Sequence, residues 1–436
     1  MTFPNDLNAS TRDARLSALQ HHVEANTNGI NDVPFTQEVN NHVHTTYSFS
    51  PYSPTAAAWM ARASGLGAVG SVDHDSISAA RETISAAKIL GIGSTVGCEV
   101  RVNFTGTAIE GRMINNPDSP NLAYMVFHGV ATNRIDEVDA FLAPIRARRN
   151  ERNRRETEAM SDLLEAAGAP RVDFGAVEAA SLVGEGGGIT ERHILYAAGV
   201  ALMSWMQPGP PLRRFVEANL TGDLAPRLRS FLDDPGNPHY VYDLLGAMKG
   251  SFLPKFFVQP TEDECIPVAD AVGFANSIEA ISAYAYLGDV GESPTGDKKA
   301  AKFEDDYLDE LFEVIADVGY RAVTYMPPRN TVEQLRRVQS LCSRHRLMEI
   351  SGVDINSSRQ VFTCPEVLEP DFRHLVDATW ALIAHEKLST ADPNLSLFSD
   401  RNPVEGDLAT RIERYAGFGR AIDPHNPEAA RSAAGL

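Results

Sequence analysis

The sequence predicts a parallel α/β barrel, and three observations support this fold class. Predicted strands and helices alternate on both sides of a long helical section. The strands are apolar runs, which is typical of parallel strands buried on both faces. Histidines and carboxylates follow several of them, and the strand ends of a parallel barrel form one rim. The 436 residues suffice for one large barrel with extensions, or for two or three ordinary domains.

The first barrel segment is predicted at residues 37–135, after an N-terminal arm at residues 1–36 that is polar and expected to be irregular. Its predicted strands are QEVNNHVHT, AVGSVDHDS, GSTVGCEVRVNF and AYMVFHGVA. Helices are predicted between the first three of these strands, in SPTAAAWMARASGLG and SAARETISAAKILGI. This order indicates βα units that build a parallel sheet.

A mostly helical section at residues 136–260 interrupts the alternation and is predicted to be an insertion. Six arginines lie within ten residues near its start, and we interpret them as a solvated face with Glu151 and Glu156 as partners. The second barrel segment is predicted at residues 261–402, and its last strand is LMEISGVDIN. Residues 403–436 are expected to form a peripheral tail.

Composition and charge limit the possible functions. The formal net charge of -19 argues against a protein that binds nucleic-acid duplexes or acidic membranes. It leaves a small phosphorylated substrate open, because a bound divalent metal reverses the local field. The N-terminal residues predict no signal peptide, no stretch is apolar enough to predict a bilayer span, and the four scattered cysteines predict no disulfide framework. A cytoplasmic protein is therefore expected.

Several predicted strands end in side chains that bind metals. His42 and His44 project to the same face of a strand, so they can hold one metal; two loop histidines bonded to the backbone are the structural alternative. Glu99 is a lone carboxylate in an apolar strand, which requires a cation or strong donors nearby, and an ion pair with Arg101 is the alternative. The same pattern recurs at Asp73, His74 and Asp75, at His128, and at Asp354 and Asn356.

These motifs resemble the PHP superfamily, the polymerase and histidinol phosphatase domain proteins. HVHTTYS at 42–48 matches the family's HxHTxxS, VDHD at 72–75 resembles its TDHD, and GCE at 97–99 matches its GxE strand. His128 before a glycine, the segment 173–194 and the segment 325–356 follow in the family's order. The resemblance covers roughly residues 37–365.

The resemblance implies a distorted (β/α)7 barrel, similar to a TIM barrel, with the helical section as an insertion. It also implies one to three divalent ions, Mn, Fe or Zn, at the rim formed by the strand ends. The residues carried over as metal ligands are His42, His44, His74, Glu99, His128, Asp354 and Asn356.

Three positions depart from the family pattern. Phe49 stands where the family has Asp, and Tyr286 and Asn356 stand where it has His. Neutral amide and phenol oxygens bind transition metals less tightly than imidazole or carboxylate does. We therefore expect one firm metal site and one or two that are weak or absent. Tyr286 as a ligand or acid in its own right is a further possibility.

The closest likeness is to metal-dependent phosphoesterases that hydrolyse small phosphoesters such as nucleotides. It implies hydrolysis of a small phosphorylated metabolite or nucleotide by a metal-activated water, with His193 and Asp73 as catalytic residues. Candidate residues for binding the substrate phosphate are Arg192, Lys255, Arg329 and Arg359. Two alternatives stay open: a mononuclear hydrolase of amide or lactone bonds, and a non-catalytic metal-binding protein.

Overall fold

A computed structural model describes residues 3–116, 119–290, 302–421, 431–432 and 434–435, and its centre is an eight-stranded sheet. The strands are β1 (Val39–Val43), β2 (Ala68–His74), β3 (Gly93–Asn103), β4 (Leu122–His128), β5 (Ile266–Pro267), β6 (Ile281–Ala285), β7 (Ala322–Tyr325) and β8 (Met348–Ser351). Seven of them follow the order β1-β2-β3-β4-β6-β7-β8, and the short β5 pairs with β3.

The sheet curls into a nearly closed barrel. The end of β1 meets the segment that follows β8, where a parallel bridge joins Val43 to Ile355. The Asn41 side chain also donates to the carbonyl of Ser351 at 2.9 Å. Neighbouring strands are parallel except at β4, which is antiparallel to both β3 and β6. The fold is therefore the predicted α/β class, a TIM-like barrel with a helical insertion.

Helices surround the barrel and form the insertion. They are α1 (Arg12–Glu24), α2 (Pro54–Ala63), α3 (Ala80–Leu90), α4 (Ile135–Ala166), α5 (Phe174–Ala179), α6 (Glu191–Trp205), α7 (Pro210–Val216), α8 (Pro226–Asp233), α9 (Tyr240–Ser251), α10 (Val268–Ser277), α11 (Leu308–Val318), α12 (Val332–His345), α13 (His374–Ala391) and α14 (Leu408–Ala421). Among the described residues, no helix is both long and apolar enough to cross a membrane.

The insertion has a hydrophobic core of its own, which α4 to α9 build. Phe49, in the loop after β1, is part of this core and joins it to the barrel. The interior of the barrel is a separate core, in which Ala381 and Leu382 of α13 pack with Val72 and Val126 from the strands. Helix α13 therefore fills the end of the barrel where the parallel strands begin, and the opposite end is left for a site.

The two ends of the chain contain more structure than the sequence indicates. The N-terminal segment was expected to be irregular, but it contains α1, whose Arg15 forms a buried ion pair with Glu82 at 2.6 Å. Near the other end, α14 lies against α13 so closely that a Cβ on Gly419 would come within 2.1 Å of the Trp380 carbonyl oxygen. Only glycine permits this approach.

Candidate metal centre

A cavity of about 210 Å³ opens where the parallel strands end and where the insertion covers the barrel. Strand residues form its floor, and residues of α6, α9 and the following segment form its upper wall. The residues that line it include His42, His44, Phe49, His74, Glu99, Arg101, Tyr124, Arg149, Glu191, Arg192, Lys249, Tyr286, Asp354 and Asn356.

Glu99 is at the centre of a group of metal-ligand side chains. Its Oε2 lies 3.7 Å from Nε2 of His42, 3.7 Å from Nε2 of His44 and 3.1 Å from Nδ1 of His74. Oδ1 of Asp354 lies 3.3 Å from Nε2 of His44. These five residues, from β1, β2, β3 and the segment after β8, are called the ligand cluster below.

The local backbone explains why β1 and the end of β8 come so close. His42 lies in β1 and His44 directly after it, so their rings share one side, with centroids 5.1 Å apart. Gly352 follows β8, and a Cβ on it would lie 2.5 Å from Cβ of His42. The absence of a side chain at Gly352 therefore allows Asp354, two residues later, to reach the histidines.

The tautomer of His44 is set by residues behind the cluster. Ser48 donates its hydroxyl hydrogen to Oδ1 of Asp73 at 2.6 Å, so its oxygen is left to accept from Nδ1 of His44, 3.3 Å away. A proton on Nδ1 would leave the lone pair of Nε2, on the side of Glu99 and Asp354, for a metal. Burial opposes protonation of His44, but Asp354 and Glu99 outweigh it and raise the pKa of His44, so a metal would compete with a proton at Nε2. Asp73 also accepts from the backbone N–H and hydroxyl of Thr45, both at 2.7 Å.

The charges in the cluster shift one another's pKa. Burial opposes ionisation of Glu99, but His74, His42 and His44 outweigh it and lower its pKa to about 2. In the same way, His44 and His42 overcome partial burial and lower the pKa of Asp354. Burial lowers the pKa of His74 to about 3, so this imidazole is neutral near pH 7. Two ionised carboxylates therefore face a neutral imidazole.

The residues fit a divalent metal. Two overlapping groups of ligand atoms lie within 4.8 Å of one another: His42, His44 and Asp354, and His44, His74 and Glu99. Imidazole nitrogens with carboxylate oxygens suit Zn, Fe and Mn. Nδ1 of His74 is buried and lies 3.1 Å from Oε2 of Glu99, but it forms no hydrogen bond with suitable geometry among the described residues. A metal shared by the two atoms would satisfy both.

His128 lies outside these two groups, and Asn356 is bonded to one of their members, Asp354, and to Arg192. Asn356 lines the cavity, donates to Oδ1 of Asp354 at 2.6 Å and accepts from Arg192 at 2.6 Å. His128 was expected at the same rim as the other ligands. Because β4 is antiparallel to its neighbours, His128 instead lies opposite Ile281 at the start of β6 and does not line the cavity. Its two ring nitrogens are buried and have no hydrogen-bond partner among the described residues.

His193 caps a helix. Its Nδ1 accepts from the backbone N–H of Thr190, and its ring packs edge-on against Phe49 with a centroid distance of 5.0 Å. The side chain is buried and does not line the cavity, and burial lowers its pKa to about 3. Asp73 is buried behind the cluster, and burial raises its pKa.

Of the four candidate phosphate-binding residues, Arg192 lines the cavity. Lys255 donates to the carbonyl of Leu220 at 2.7 Å, in the insertion. The other two, Arg329 and Arg359, do not line the cavity; Arg329 donates to the carbonyl of Leu287 at 2.9 Å and Arg359 to Asp243 at 2.7 Å. The structure therefore brings only Arg192 of this set to the cluster.

Phe49 and Tyr286, the two aromatic residues at which the sequence differs from the PHP motifs, both line the cavity. Phe49 packs against His193, Tyr196 and Tyr242, with centroid distances of 5.0, 5.9 and 6.2 Å. Tyr286 donates its hydroxyl to Asp305 at 2.6 Å. Burial and then this carboxylate raise its pKa, so the hydroxyl stays protonated near pH 7.

Arg101, Tyr124 and Arg149 line the cavity, although the sequence indicated no ligand-binding role for them. Arg101 was considered only as an ion-pair partner of Glu99, and it pairs with Glu264 instead. The arginine-rich stretch was interpreted as a solvated face, and this is wrong for Arg146, Arg149 and Arg152, which are buried. These arginines are three residues apart and so share one face of α4. That spacing was the signal in the sequence, and the exposed Arg154, at 54%, lies on the other side.

Comparisons with known proteins give a likeness in fold. No protein-family model and no curated protein matches the chain. A solved structure of a candidate metal-dependent phosphoesterase from Bifidobacterium adolescentis matches with a TM-score of 0.50 and 19% identity, over 77% of this chain and 96% of that one. An amidohydrolase from Chromobacterium violaceum, solved with bound sulfate and no metal, matches with a TM-score of 0.48 and 19% identity, over 78% and 95%. At 19% identity, the first match supports the barrel fold alone.

Proposed function

We propose that this chain is a metal-dependent hydrolase of the PHP superfamily that acts on a small phosphoester, a phosphorylated metabolite or a nucleotide. One observation carries the proposal: three imidazole nitrogens lie within 3.7 Å of a single oxygen of Glu99, at the mouth of a barrel. Asp354 extends the group through His44. This donor set suits a hydrolytic metal better than a structural ion pair.

The chain's own residues would bind the metal and orient the substrate. His42, His44, His74, Glu99 and Asp354 would hold the metal. A bound divalent metal lowers the pKa of water and stabilises the negative charge that develops on an ester oxygen. Arg192, which Asn356 orients through a 2.6 Å hydrogen bond, supplies a positive charge for phosphate oxygens.

Asp73 is given a positioning role in this proposal. It fixes Ser48 and Thr45, and through Ser48 it selects the tautomer of His44 that leaves Nε2 free. The helix-capping contact of His193 gives that residue a structural role beside the site. Its neutral ring packs 5.0 Å from Phe49, which lines the cavity on the side of the insertion.

The test is a panel of phosphomonoester, phosphodiester, amide and lactone substrates, assayed with added Mn, Fe or Zn and with a chelator. The proposal expects phosphoester hydrolysis that depends on metal and that is lost in Asp354→Asn. Asp223→Asn is the control, because the Asp223 side chain is 97% exposed in the insertion. Hydrolysis restricted to amides or lactones would favour the second alternative. Bound metal without any hydrolysis would leave a non-catalytic metal-binding protein.

A further inference from the structure

Arg101, Tyr124 and Arg149 line the part of the cavity next to His74. The centroid of the Tyr124 ring lies 5.4 Å from that of His74, and the Arg101 guanidinium carbon lies 5.6 Å from the Tyr124 centroid. Arg192 borders the cluster at its other end, beside Asp354 and Asn356. Guanidinium groups therefore border the ligand cluster at two separate places, one on each side.

Arg101 and Tyr124 keep donors for a ligand. Arg101 donates to Glu264 at 3.1 Å and to the phenol oxygen of Tyr124 at 3.1 Å. A guanidinium has five N–H donors, so these two bonds leave others. Because the Tyr124 oxygen accepts from Arg101, its own O–H remains a donor. Both side chains can therefore donate to an oxyanion in the cavity.

Arg149 and Arg101 are held in place by a third arginine. Arg149 donates to Asp75 at 2.7 Å and to Glu191 at 3.2 Å. Arg152, which is 1% exposed, donates to the same Glu191 at 2.7 Å and to Glu264 at 2.8 Å. Arg152 therefore fixes both carboxylates on which the two cavity arginines depend.

Stability alone is a poor explanation for two arginines at this wall. Nε of Arg101 and Nε of Arg149 are buried and have no hydrogen-bond partner among the described residues. A buried donor without a partner destabilises the folded chain. An anionic ligand in the cavity would offset this cost through the remaining N–H groups of the same guanidinium ions.

We infer that Arg101, Tyr124 and Arg149 bind a second anionic group of the substrate, separate from the ester that is hydrolysed. Guanidinium ions pair equally well with a carboxylate or a phosphate, so the inferred group is one of these two. Arg152 is a positioning residue for this pocket. The inference rests on the proposed function, because the hydrolysed ester is placed at the neighbouring ligand cluster.

The first experiment measures the binding of inorganic phosphate to chelator-treated protein by calorimetry, with no hydrolysis involved. We expect Arg149→Gln to weaken binding roughly 10- to 100-fold, because charge-assisted hydrogen bonds are lost. Tyr124→Phe, which removes one donor and little else, should weaken it by a smaller factor. The control is Arg148→Gln, an exposed neighbour on the same helix, with binding unchanged. Unchanged binding in both cavity variants, or a loss confined to Arg192→Gln, overturns the inference.

The second experiment compares phenyl phosphate with two esters, one carrying a carboxylate and one carrying a second phosphate. The wild type should prefer one of the two bis-anionic esters in kcat/KM, which identifies the second group. In Arg149→Gln this preference should collapse, and in Arg152→Lys it should fall through KM more than through kcat. A preference that survives in Arg149→Gln overturns the inference. If none of the esters is hydrolysed, the proposed function fails, and phosphate binding still decides the inference.

Discussion

Two groups of buried charges meet at the cavity, and they differ in how they are neutralised. In the ligand cluster, the atoms around Glu99 lie 3.1 to 3.7 Å away and three of them are imidazole nitrogens. In the arginine network, guanidinium ions bond to carboxylates at distances down to 2.7 Å. The network consists of Arg101, Arg149, Arg152, Asp75, Glu156, Glu191 and Glu264.

This difference indicates that the arginine network and the ligand cluster have different roles. In the arginine network the guanidinium ions are paired with carboxylates, so removing Arg152, which does not line the cavity, should mainly affect stability and positioning. The ligand cluster presents acceptor atoms to one another, which becomes favourable when they share a cation. Variants in the two groups should therefore fail in different assays.

The largest effect is expected for Glu99→Gln. This change removes the charge on the oxygen that three imidazoles approach, and metal affinity and hydrolysis should each fall by more than about 100-fold, since even outer partners of a metal ligand are worth 10–100-fold. Elemental analysis and phosphoester kinetics measure the two losses. Glu313→Gln, on the exposed face of α11, is the matched control. Retention of both properties in Glu99→Gln would remove Glu99 from the centre of the site.

Arg152→Met should act on stability. It leaves Glu191 and Glu264 without their shared partner, and the loss of one member of a buried ion pair costs about 3–5 kcal/mol. Chemical denaturation should show this loss in the free energy of unfolding. Arg154→Met, at a position 54% exposed on the same helix, should change it by less than about 0.5 kcal/mol. Equal effects of the two variants would show that the network is not what stabilises the insertion.

Glu156 makes the network sensitive to pH. Burial, followed by the charge of Glu191, raises the pKa of Glu156 to about 7 from 4.5. The unfolded chain loses this proton near pH 4.5 and the folded chain keeps it until about pH 7, so the free energy of unfolding falls as the pH rises through this window. The loss is about 3 kcal/mol. Glu156→Gln should abolish this part of the pH dependence, and parallel curves for the variant and the wild type would contradict the assignment.

The smallest effect on stability is expected for substitutions of His193. His193→Ala removes the acceptor for the N–H of Thr190 and should lower the free energy of unfolding by about 1 kcal/mol. His193→Gln should restore the stability, because Gln at this third helix position also caps the backbone. The kcat of His193→Gln then distinguishes a helix-capping role from a catalytic role. A fall of about 100-fold or more in this well-folded variant would make His193 a general acid or base after all.

The barrel could be predicted because apolar strands alternate with helices and several of these strands end in ligand-type residues. The direction of β4 could not, since an apolar run is the same whether its neighbours are parallel or antiparallel. This is why His128 was expected at the rim and lies instead at the start of β6. The histidine pair after β1 was predictable because the period of a strand places His42 and His44 on one side.

The arginine network could be predicted only in part. The spacing of Arg146, Arg149 and Arg152 shows that they share a helix face, but not whether that face is buried. Arg149 and Arg152 are buried with Glu191 and Glu264 as partners, which are distant in the sequence and reach α4 only in the folded chain. The composition of a helix indicates neither its partners nor their distance.

The most direct test of the account is the metal content of the purified protein, compared between the wild type and His44→Ala. His44 belongs to both groups of candidate ligands. The account predicts at least one divalent metal per chain in the wild type and its loss in His44→Ala, with the circular dichroism of the fold retained. Equal metal content in the two proteins, or no metal in a wild type supplied with Mn, Fe and Zn, would contradict it.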